Sequence, residues 1–409
     1  MIIPKLKKIE SNKKYHDIVL EDEYAWVDQP NILEVLKDAG KLNPEVKKYI
    51  NANNKITNDY FTDVKNLQKN LFTEIKSKIK LDDTSLKYKD DRYYYWTKTE
   101  SKGNYGKKIR QLIDYSKPEE TIFDGDLEKK KYGSEYFGLG ATSTSYCDSF
   151  LAYSLDLKGS EYYTIYLRDL RSNKNEADII KNTSGSITWS LDSKSFFYSM
   201  LDKFHRPRQI FKHILGTPVK DDQLIFEEKD ETFTCGIGIS SDEKFFIIQS
   251  SDHITAEIYF FSSTDNEIKP KLFQKRKKDI RYDIDSWQGY FYVHTNEGAR
   301  DYKVLRCKTD QITNLEVFIP SKKETVIGGL DFLDEYILRG EKSDAISKLY
   351  VRNIKTNQEE EIKISDEAIG VPGFSLMQKN TKTTKIRVGW ESMATPSKVY
   401  EYDIVTKEK

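Results

Sequence analysis

The sequence predicts an all-β fold, a seven-bladed β-propeller preceded by an N-terminal α-helical arm. From about residue 88 to the end, a turn followed by an aromatic or β-branched run recurs, and each run is followed by a strand-like segment that ends in a polar hairpin. A period of roughly 45–50 residues built from short strands is typical of blades around an axis. The 409 residues also exceed the size, about 250–300 residues, at which single cores stop growing. Length and period together favour a repeat array.

The first part of the chain follows a helical pattern instead. Asn43 and Pro44 have the identities expected of an N-cap and of the first helical position. One stripe then recurs at steps of three and four residues, which indicates an amphipathic helix. It consists of Val46, Tyr49, Ile50, Asn53, Ile56, Tyr60, Val64, Leu67, Leu71, Ile75 and Ile79. A shorter helix is expected around residues 32–37. We therefore predict a helical arm over residues 1–80 and a propeller over residues 81–409.

The aromatic runs place the blades along the chain. The turn before each run starts a strand that passes through the core, because aromatic and β-branched residues favour half-buried strands. Representative runs lie at residues 93–96, 196–198, 245–248 and 290–293. The predicted blades cover about 88–140, 141–187, 188–235, 236–282, 283–327, 328–373 and 374–409.

Charge and composition exclude several classes of partner. Lys plus Arg and Asp plus Glu both number 66, so no overall field attracts nucleic acid or an acidic membrane. Three scattered cysteines are too few for a disulfide framework or a zinc site. The first residues lack a signal-peptide pattern, and no apolar run approaches the roughly 18 residues of a membrane span. The sequence therefore predicts a cytoplasmic protein with neither nucleic-acid nor membrane partners.

The sequence offers no catalytic residue. It contains no Gly-x-Ser-x-Gly elbow, and the nearest string, at residues 373–377, lacks the closing glycine. None of the five histidines is paired at metal-ligand spacing; His205 and His213 flank Pro207 and Arg208, where a structural role is favoured over a metal pair. We expect no cofactor, no metal and no catalytic side chain in this chain.

Six strings, spread over nearly the whole chain, resemble oligopeptidase B (protease II) of the prolyl oligopeptidase family of serine peptidases. They are residues 22–28 (DEYAWVD), 43–49 (NPEVKKY), 67–75 (LQKNLFTEI), 213–218 (HILGTP), 222–233, and 390–396 (WESMATP). The resemblance implies a seven-bladed propeller that caps an α/β-hydrolase domain and filters substrates to short peptides. In oligopeptidase B, cleavage follows Arg or Lys. In the family the domain that carries the catalytic triad follows the propeller, so the resemblance implies that this chain is the propeller half without that domain.

Three functions follow from the resemblance, and the sequence leaves them open. In the first, the chain is one subunit of a split serine oligopeptidase whose triad lies on a separate α/β-hydrolase chain. In the second, it is an inactive remnant of a truncated peptidase gene. In the third, it is a free-standing propeller that binds peptides or proteins. Because the family's N-terminal helices wrap the peptidase domain, the stripe around Leu67 and Leu71 is expected to lack its cover. An uncovered stripe would mark a partner surface.

One acidic segment is the sequence's candidate for contact with a substrate or partner. Glu227, Glu228 and Asp230 follow a strand-like run. Oligopeptidase B substrates are basic, and carboxylates attract Arg side chains. We therefore expect these three residues to face short basic peptides or an interface, although an exposed loop is the simpler interpretation.

Overall fold

The computed structural model describes residues 3–265, 267–367, 370–378 and 382–409. The first regular element is a hairpin in which β1 (Asn12–Tyr15) pairs antiparallel with β2 (Ile18–Glu21). The helices α1 (Ile32–Lys37), α2 (Pro44–Tyr60) and α3 (Lys65–Ser77) follow. The helical pattern of the sequence predicted these helices but not the hairpin before them.

The start of α2 has the predicted cap. The Asn43 side chain accepts a hydrogen bond from the backbone amide of Glu45 at 2.9 Å, and Pro44 is the first helical residue. This arrangement satisfies one of the amides that a helix start leaves without a partner. A 3-10 turn at Thr62–Val64 separates α2 from α3, so the predicted stripe is divided between two helices.

The rest of the chain is a β-propeller made of consecutive antiparallel sheets. The first sheet contains β3 (Asp83–Thr84), β4 (Tyr88–Asp90), β5 (Tyr93–Thr99), β6 (Lys107–Leu112) and β7 (Glu120–Asp124), and α4 (Gly125–Tyr132) follows it. The next sheet contains β8 (Gly138–Thr144), β9 (Phe150–Asp156), β10 (Tyr163–Asp169), β11 (Lys174–Thr183), β12 (Thr188–Trp189), β13 (Ser195–Leu201), β14 (Pro207–Ile214) and β15 (Gln223–Glu227).

The sheets that follow are smaller. The first of them consists of β16 (Thr234–Ile239), β17 (Phe245–Ser251), β18 (Ala256–Ser262) and β19 (Lys271–Gln274). The second consists of β20 (Tyr282–Trp287), β21 (Tyr290–Thr295), β22 (Lys303–Lys308) and β23 (Glu316–Ile319). The next consists of β24 (Thr325–Leu333), β25 (Tyr336–Ser343), β26 (Ile346–Asn353) and β27 (Glu359–Glu361). The last consists of β28 (Val371–Leu376), β29 (Lys385–Glu391) and β30 (Lys398–Asp403).

The all-β propeller is confirmed, but the predicted count of seven blades is wrong. Across the described residues, strand pairing gives five separate sheets of three to five strands and, where the second and third blades were predicted, one sheet of eight strands. Thr183 on β11 pairs with Met200 on β13, so hydrogen bonding crosses the predicted boundary near residue 187. The spacing of aromatic runs counts strand repeats, but it does not reveal whether backbone groups pair across a boundary.

The first and last sheets meet without a shared strand. The backbone amide of Lys89 donates to the carbonyl of Met377 at 3.0 Å, and Lys89 forms a parallel bridge with Gln378. The Arg387 guanidinium donates to the carbonyl of Lys87 at 2.6 Å. These polar contacts join the two ends of the ring.

The core lies between neighbouring sheets and is largely aromatic. Phe197 of the eight-stranded sheet lies 4.7 Å from Phe246 of the next sheet, centroid to centroid. Phe291 is fully buried and contacts Phe245 at 4.8 Å and Phe260 at 5.0 Å. Aromatic pairs at such distances add to the free energy gained by burying their area. The predicted runs are therefore the strands that hold one sheet against the next.

The turns divide the propeller into two faces. The first-turn face carries the turns that join the first strand of a sheet to its second, such as residues 145–149 and 240–244. The second-turn face carries the turns that join the second strand to the third, such as residues 157–162. Antiparallel strands reverse direction at each turn, so the two sets lie at opposite strand ends, roughly 20 Å apart for seven-residue strands. The arm contacts the second-turn face, where Lys158 Nζ donates to the carbonyl of Lys37 at 3.0 Å.

Candidate functional site

A cavity of about 630 Å³ lies where strands from several sheets approach one another. Its walls come from β4, β5, β6 and β7 of the first sheet, β8, β9 and β12 of the eight-stranded sheet, and β16 of the sheet after that. The cavity therefore lies between the first two sheets and extends toward the axis of the ring, where β4 and β16, from sheets that are not neighbours in sequence, approach one another. Its large side chains include Tyr88, Tyr95, Trp96, Tyr146, Trp189 and Ile239. Its size and aromatic walls are typical of ligand sites.

A second cavity of about 410 Å³ continues the first toward the first-turn face. The two share Asp90, Thr144 and Tyr146, so they form one axial passage with a mouth at that face. The mouth is rich in carboxylates, which belong to Asp90, Asp91, Asp148, Asp242 and Glu243.

Two of these carboxylates raise the pKa values of the same two tyrosines. Burial, and then the charges of Asp90 and Glu243, raises the pKa of Tyr88 to about 12. Burial also raises the pKa of Tyr146, and Glu243 and Asp90 add to that shift. Because each carboxylate influences both phenols, the four groups form one cluster across the passage. Asp90 ends β4, and Glu243 lies in the turn between β16 and β17.

Two further mouth carboxylates, Asp148 and Asp242, accept hydrogen bonds from neighbouring side chains. Asp148 is buried, forms an ion pair with Arg92 at 2.8 Å and accepts a hydrogen bond from the Tyr95 hydroxyl at 3.2 Å. Asp242 accepts from the hydroxyl of Ser286 at 2.9 Å. The charge of Asp148 is therefore balanced within the protein, and Asp90 and Glu243 lie on the wall of the passage.

The side chains that line the passage suit a cationic group. A guanidinium or ammonium group gains from ion pairing with carboxylates and from the faces of tyrosine rings. Within the described residues, no group of three or more His, Cys, Asp or Glu side chains is arranged to hold a metal ion.

The structure places Glu228, one of the three residues predicted from sequence, in the interior. Its carboxylate is buried and forms an ion pair with Arg276 Nη2 at 2.6 Å, and it accepts a hydrogen bond from the Ser250 hydroxyl. Arg276 also pairs with Glu257 at 2.8 Å and lies 4.1 Å from the centre of the Phe233 ring. Glu228 thus connects two sheets.

Glu227 and Asp230 are exposed on either side of Glu228. Glu227 ends β15, at the outer edge of its sheet, and accepts from Gln209 Nε2 at 2.7 Å. Asp230 accepts from the backbone amide and the hydroxyl of Thr232, and these hydrogen bonds lower the pKa of its carboxyl. The segment stays together in the fold but does not line the axial passage. Its contact with a substrate or partner stays a prediction.

The mouth residues were missed by sequence reasoning, although a signal was present. Asp90 and Asp91 precede the aromatic run at 93–96 by one intervening residue, and Asp242 and Glu243 precede the run at 245–248 in the same way. The carboxylates thus occupy the same position in two repeats. That repetition indicates that they lie at the same end of their sheets, but not that they meet.

The helical arm presents the α3 part of the predicted stripe to solvent. Leu67 and Ile75 of α3 are 56% and 62% exposed, and Leu71 between them is also exposed. Among the residues of α2 and α3, only Val46 is buried. The arm thus carries an apolar face that the described part of the chain leaves uncovered.

Comparison with known proteins identifies the family. Residues 4–409 match the model of the prolyl oligopeptidase N-terminal β-propeller domain. Dipeptidyl aminopeptidase BI of Pseudoxanthomonas mexicana is 26% identical over 420 residues, covering 98% of this chain and 56% of that protein. Protease 2 of Moraxella lacunata is 25% identical over 418 residues, covering 100% of this chain and 58% of that protein. The chain therefore spans somewhat more than half the length of these relatives.

Solved structures support the same fold. Oligopeptidase B from Leishmania major superimposes with a TM-score of 0.90 at 20% identity, covering 99% of this chain and 59% of that one. Oligopeptidase B from Trypanosoma brucei, with covalently bound antipain in its closed form, gives 0.88 at 22% identity, covering 98% and 59%. In the part of the chain that the structure describes, no helix is long and apolar enough to span a membrane. The chain belongs to the prolyl oligopeptidase family and comprises its N-terminal β-propeller domain.

Proposed function

We propose that this chain is the substrate-gating half of a cytoplasmic oligopeptidase B-like serine peptidase that acts on short peptides after Arg or Lys. The axial passage admits the peptide, and a separate α/β-hydrolase polypeptide supplies the nucleophile, acid and histidine. The axial passage with carboxylates at its mouth is the observation that carries this proposal. Cytoplasmic location is supported by three cysteines that form no disulfide, as is usual in reducing compartments.

The passage supports a preference for basic peptides. Asp90 and Glu243 lie in one cluster with Tyr88 and Tyr146, and together they offer charge and aromatic faces to a cationic side chain. A cavity of about 630 Å³ accommodates an extended peptide of a few residues rather than a folded protein. Selection by size and selection by charge therefore come from the same passage.

The exposed stripe of the arm supports a hydrolase partner. Its large apolar residues are Tyr60, Phe61, Val64, Leu67, Leu71, Phe72, Ile75 and Ile79, all exposed. Contiguous apolar patches beyond about 300–600 Å² are unusual on monomers and mark interaction sites. At about 25 cal/mol per Å², covering a few hundred Å² contributes several kcal/mol to association. A partner that covers this stripe would be held strongly.

The alternatives receive less support. A free-standing propeller would be favoured by a stripe folded onto the propeller, whereas the stripe is exposed. An inactive remnant would have no reason to keep two clustered carboxylates at the mouth of an axial passage.

The experiment is co-expression with a candidate α/β-hydrolase polypeptide that carries a Gly-x-Ser-x-Gly elbow, sought first among the genes beside this one. We expect the two to co-purify and to hydrolyse an Arg-terminated chromogenic peptide, while this chain alone does not. A neutral substrate with citrulline in place of Arg is the matched control. Co-purification without Arg-dependent hydrolysis, or no co-purification, would contradict the proposal.

A further inference from the structure

Lys108, on β6, lines the axial passage with a cationic side chain. Within the described part of the chain, the walls of the larger cavity contain one Lys, Arg or His residue, which is Lys108, and one Asp or Glu residue, which is Asp90. The smaller cavity, which opens at the mouth, shares Asp90 but not Lys108. The ammonium group therefore lies farther inside the passage than the carboxylates of the mouth.

Strand register gives the separation of these two charged positions. Asp90 on β4 pairs with Tyr93 of β5, and Lys108 on β6 pairs with Thr97 of the same strand. Tyr93 and Thr97 are four residues apart, so at about 3.4 Å per residue the two positions lie roughly 14 Å apart along β5. β5 runs away from the first-turn face, so Lys108 lies toward the second-turn face, which the helical arm contacts.

The protein satisfies only part of the hydrogen-bonding capacity of Lys108. Its Nζ donates to the Thr97 hydroxyl at 3.2 Å, and among the described residues it forms no ion pair. Lys98 and Lys107, in the same two strands, each form ion pairs with carboxylates. An ammonium group has three donors, so donors of Lys108 remain for an anionic group in the passage. Hydrogen bonds between two charged groups are among the strongest available.

A carboxylate suits this position better than a phosphate. A phosphorylated group carries a charge of about −1.5 to −2 at neutral pH, whereas a single ammonium group balances one negative charge. The carboxylates at the mouth would also repel a strongly anionic ligand. A ligand with one carboxylate at Lys108 and one cationic group at the mouth matches the charges at both ends of the passage.

We propose that Lys108 binds the C-terminal carboxylate of a short peptide whose basic side chain lies at the mouth. The position of the basic side chain rests on the proposed function, and the carboxylate contact goes beyond it. An extended residue spans at most about 3.3–3.6 Å, so roughly 14 Å corresponds to about four residues. The passage therefore takes an Arg or Lys followed by about three residues, with the C-terminus directed toward the second-turn face. Lys108 selects peptides by length and by a free carboxyl terminus.

The experiment measures binding of acetyl-Arg-Ala-Ala-Ala to the full chain by isothermal titration calorimetry. We expect the peptide with a free carboxyl terminus to bind about tenfold or more tightly than its amide, because it gains a hydrogen bond between charged groups. In Lys108→Gln the two forms should bind alike. Lys108→Arg keeps the charge and should keep most of the preference. Equal affinities of the two forms for the parent would overturn the inference.

Lys98→Gln is the matched control, because Lys98 lies on the same sheet, pairs with Glu119 and does not line the passage. It should keep the full preference for the free acid. If Lys98→Gln loses the preference as Lys108→Gln does, the effect is one of net charge and the inference is wrong.

Two further peptides test the geometry. Acetyl-Arg-Ala is too short to reach from the mouth to Lys108, so its acid and amide forms should bind alike, and a tenfold preference there would contradict the assignment. Acetyl-Arg-Ala-Ala-Asp amide carries its carboxylate on a side chain that branches from the backbone, so it should bind more weakly than acetyl-Arg-Ala-Ala-Ala. Equal binding would mean that the site does not select the C-terminus.

Failure of this inference can be distinguished from failure of the proposed function. If the acid and the amide bind equally tightly to the parent, the carboxylate contact is wrong, and recognition of the basic side chain stands. Because no hydrolysis is measured, the co-expression experiment tests the proposed function independently.

Discussion

Glu228 and Arg276 form a buried ion pair, 2.6 Å between Oε2 and Nη2, that joins the eight-stranded sheet to the sheet that follows it. Glu257 shares the same Arg276 Nη2 at 2.8 Å, and Arg276 also lies over the Phe233 ring. One cation thus serves two carboxylates from different sheets. Such a cluster resists separation of the sheets, because Arg276 forms charged hydrogen bonds to both carboxylates and loses one of them when the sheets part.

Substitution Glu228→Gln should therefore destabilise the protein. We expect a loss of about 1.5–3 kcal/mol, the contribution of a hydrogen bond to a charged group, because Arg276 loses the Glu228 charge but keeps Glu257. Urea denaturation followed by tryptophan fluorescence measures the change. Glu227→Gln is the matched control, and as an exposed change it should stay within about 0.5 kcal/mol. Equal effects of the two substitutions would show that the pair contributes little.

The mouth carboxylates should bind a cationic side chain. Cys147 is exposed while Cys235 and Cys307 are buried, so an environment-sensitive dye can be attached beside the mouth. We expect Asp90→Asn and Glu243→Gln each to weaken binding of an Ala-Arg-Ala amide about tenfold or more, because a hydrogen bond to a charged group contributes about 1.5–3 kcal/mol. Binding of the citrulline analogue should not change. Parallel losses for both peptides would indicate a change in the shape of the passage rather than lost charge recognition.

The acidic segment predicted from sequence is tested with the same peptide. Charge reversal at its two exposed positions, Glu227→Lys with Asp230→Lys, should weaken association with the Arg peptide or with the hydrolase polypeptide. Glu228 is left intact, so the buried pair with Arg276 is retained. If the double variant binds the Arg peptide and the hydrolase polypeptide as tightly as the parent does, the segment is not a contact surface.

The stripe on α3 should matter for association and not for folding. Leu67→Lys with Ile75→Lys places charge at two positions that are already more than half exposed, so stability should change by no more than about 0.5 kcal/mol. Co-purification of the hydrolase polypeptide should fall at least tenfold. Lys69→Glu, a charge change on the same helix outside the stripe, is the control. A double variant that unfolds would show that the stripe is packed in solution.

The fold was largely predictable because aromatic runs such as 196–198 and 245–248 are the strands that pack sheet against sheet. The blade count was not predictable, because the backbone pairing of Thr183 with Met200 does not depend on the identity of either residue. The site was not predictable either, since Asp90 and Glu243 come together only when the ring brings the first sheet near the β16 sheet. The burial of Glu228 could not be predicted from the sequence for a similar reason, because its partner Arg276 lies beside another sheet.

Asp285, on β20, provides a test of pH dependence. Burial raises the pKa of its carboxyl, although the hydroxyl and amide of Ser241 donate to it and oppose that shift. A carboxyl whose pKa is higher in the folded state favours folding when protonated, so its contribution is present below the unfolded pKa of about 3.9 and is lost as pH rises through the folded value.

Asp285→Asn should therefore be more stable than the parent at pH 7, and the difference should vanish toward pH 4. The asparagine keeps an acceptor for the Ser241 amide and removes the buried charge. Urea midpoints at pH 4, 5, 6 and 7 measure the difference. Asp283→Asn, an exposed carboxylate on the same strand that accepts from Gln249 Nε2 at 2.9 Å, should show no such trend. A variant at 285 that loses stability at pH 7 would mean that its hydrogen bonds outweigh the cost of burying the charge.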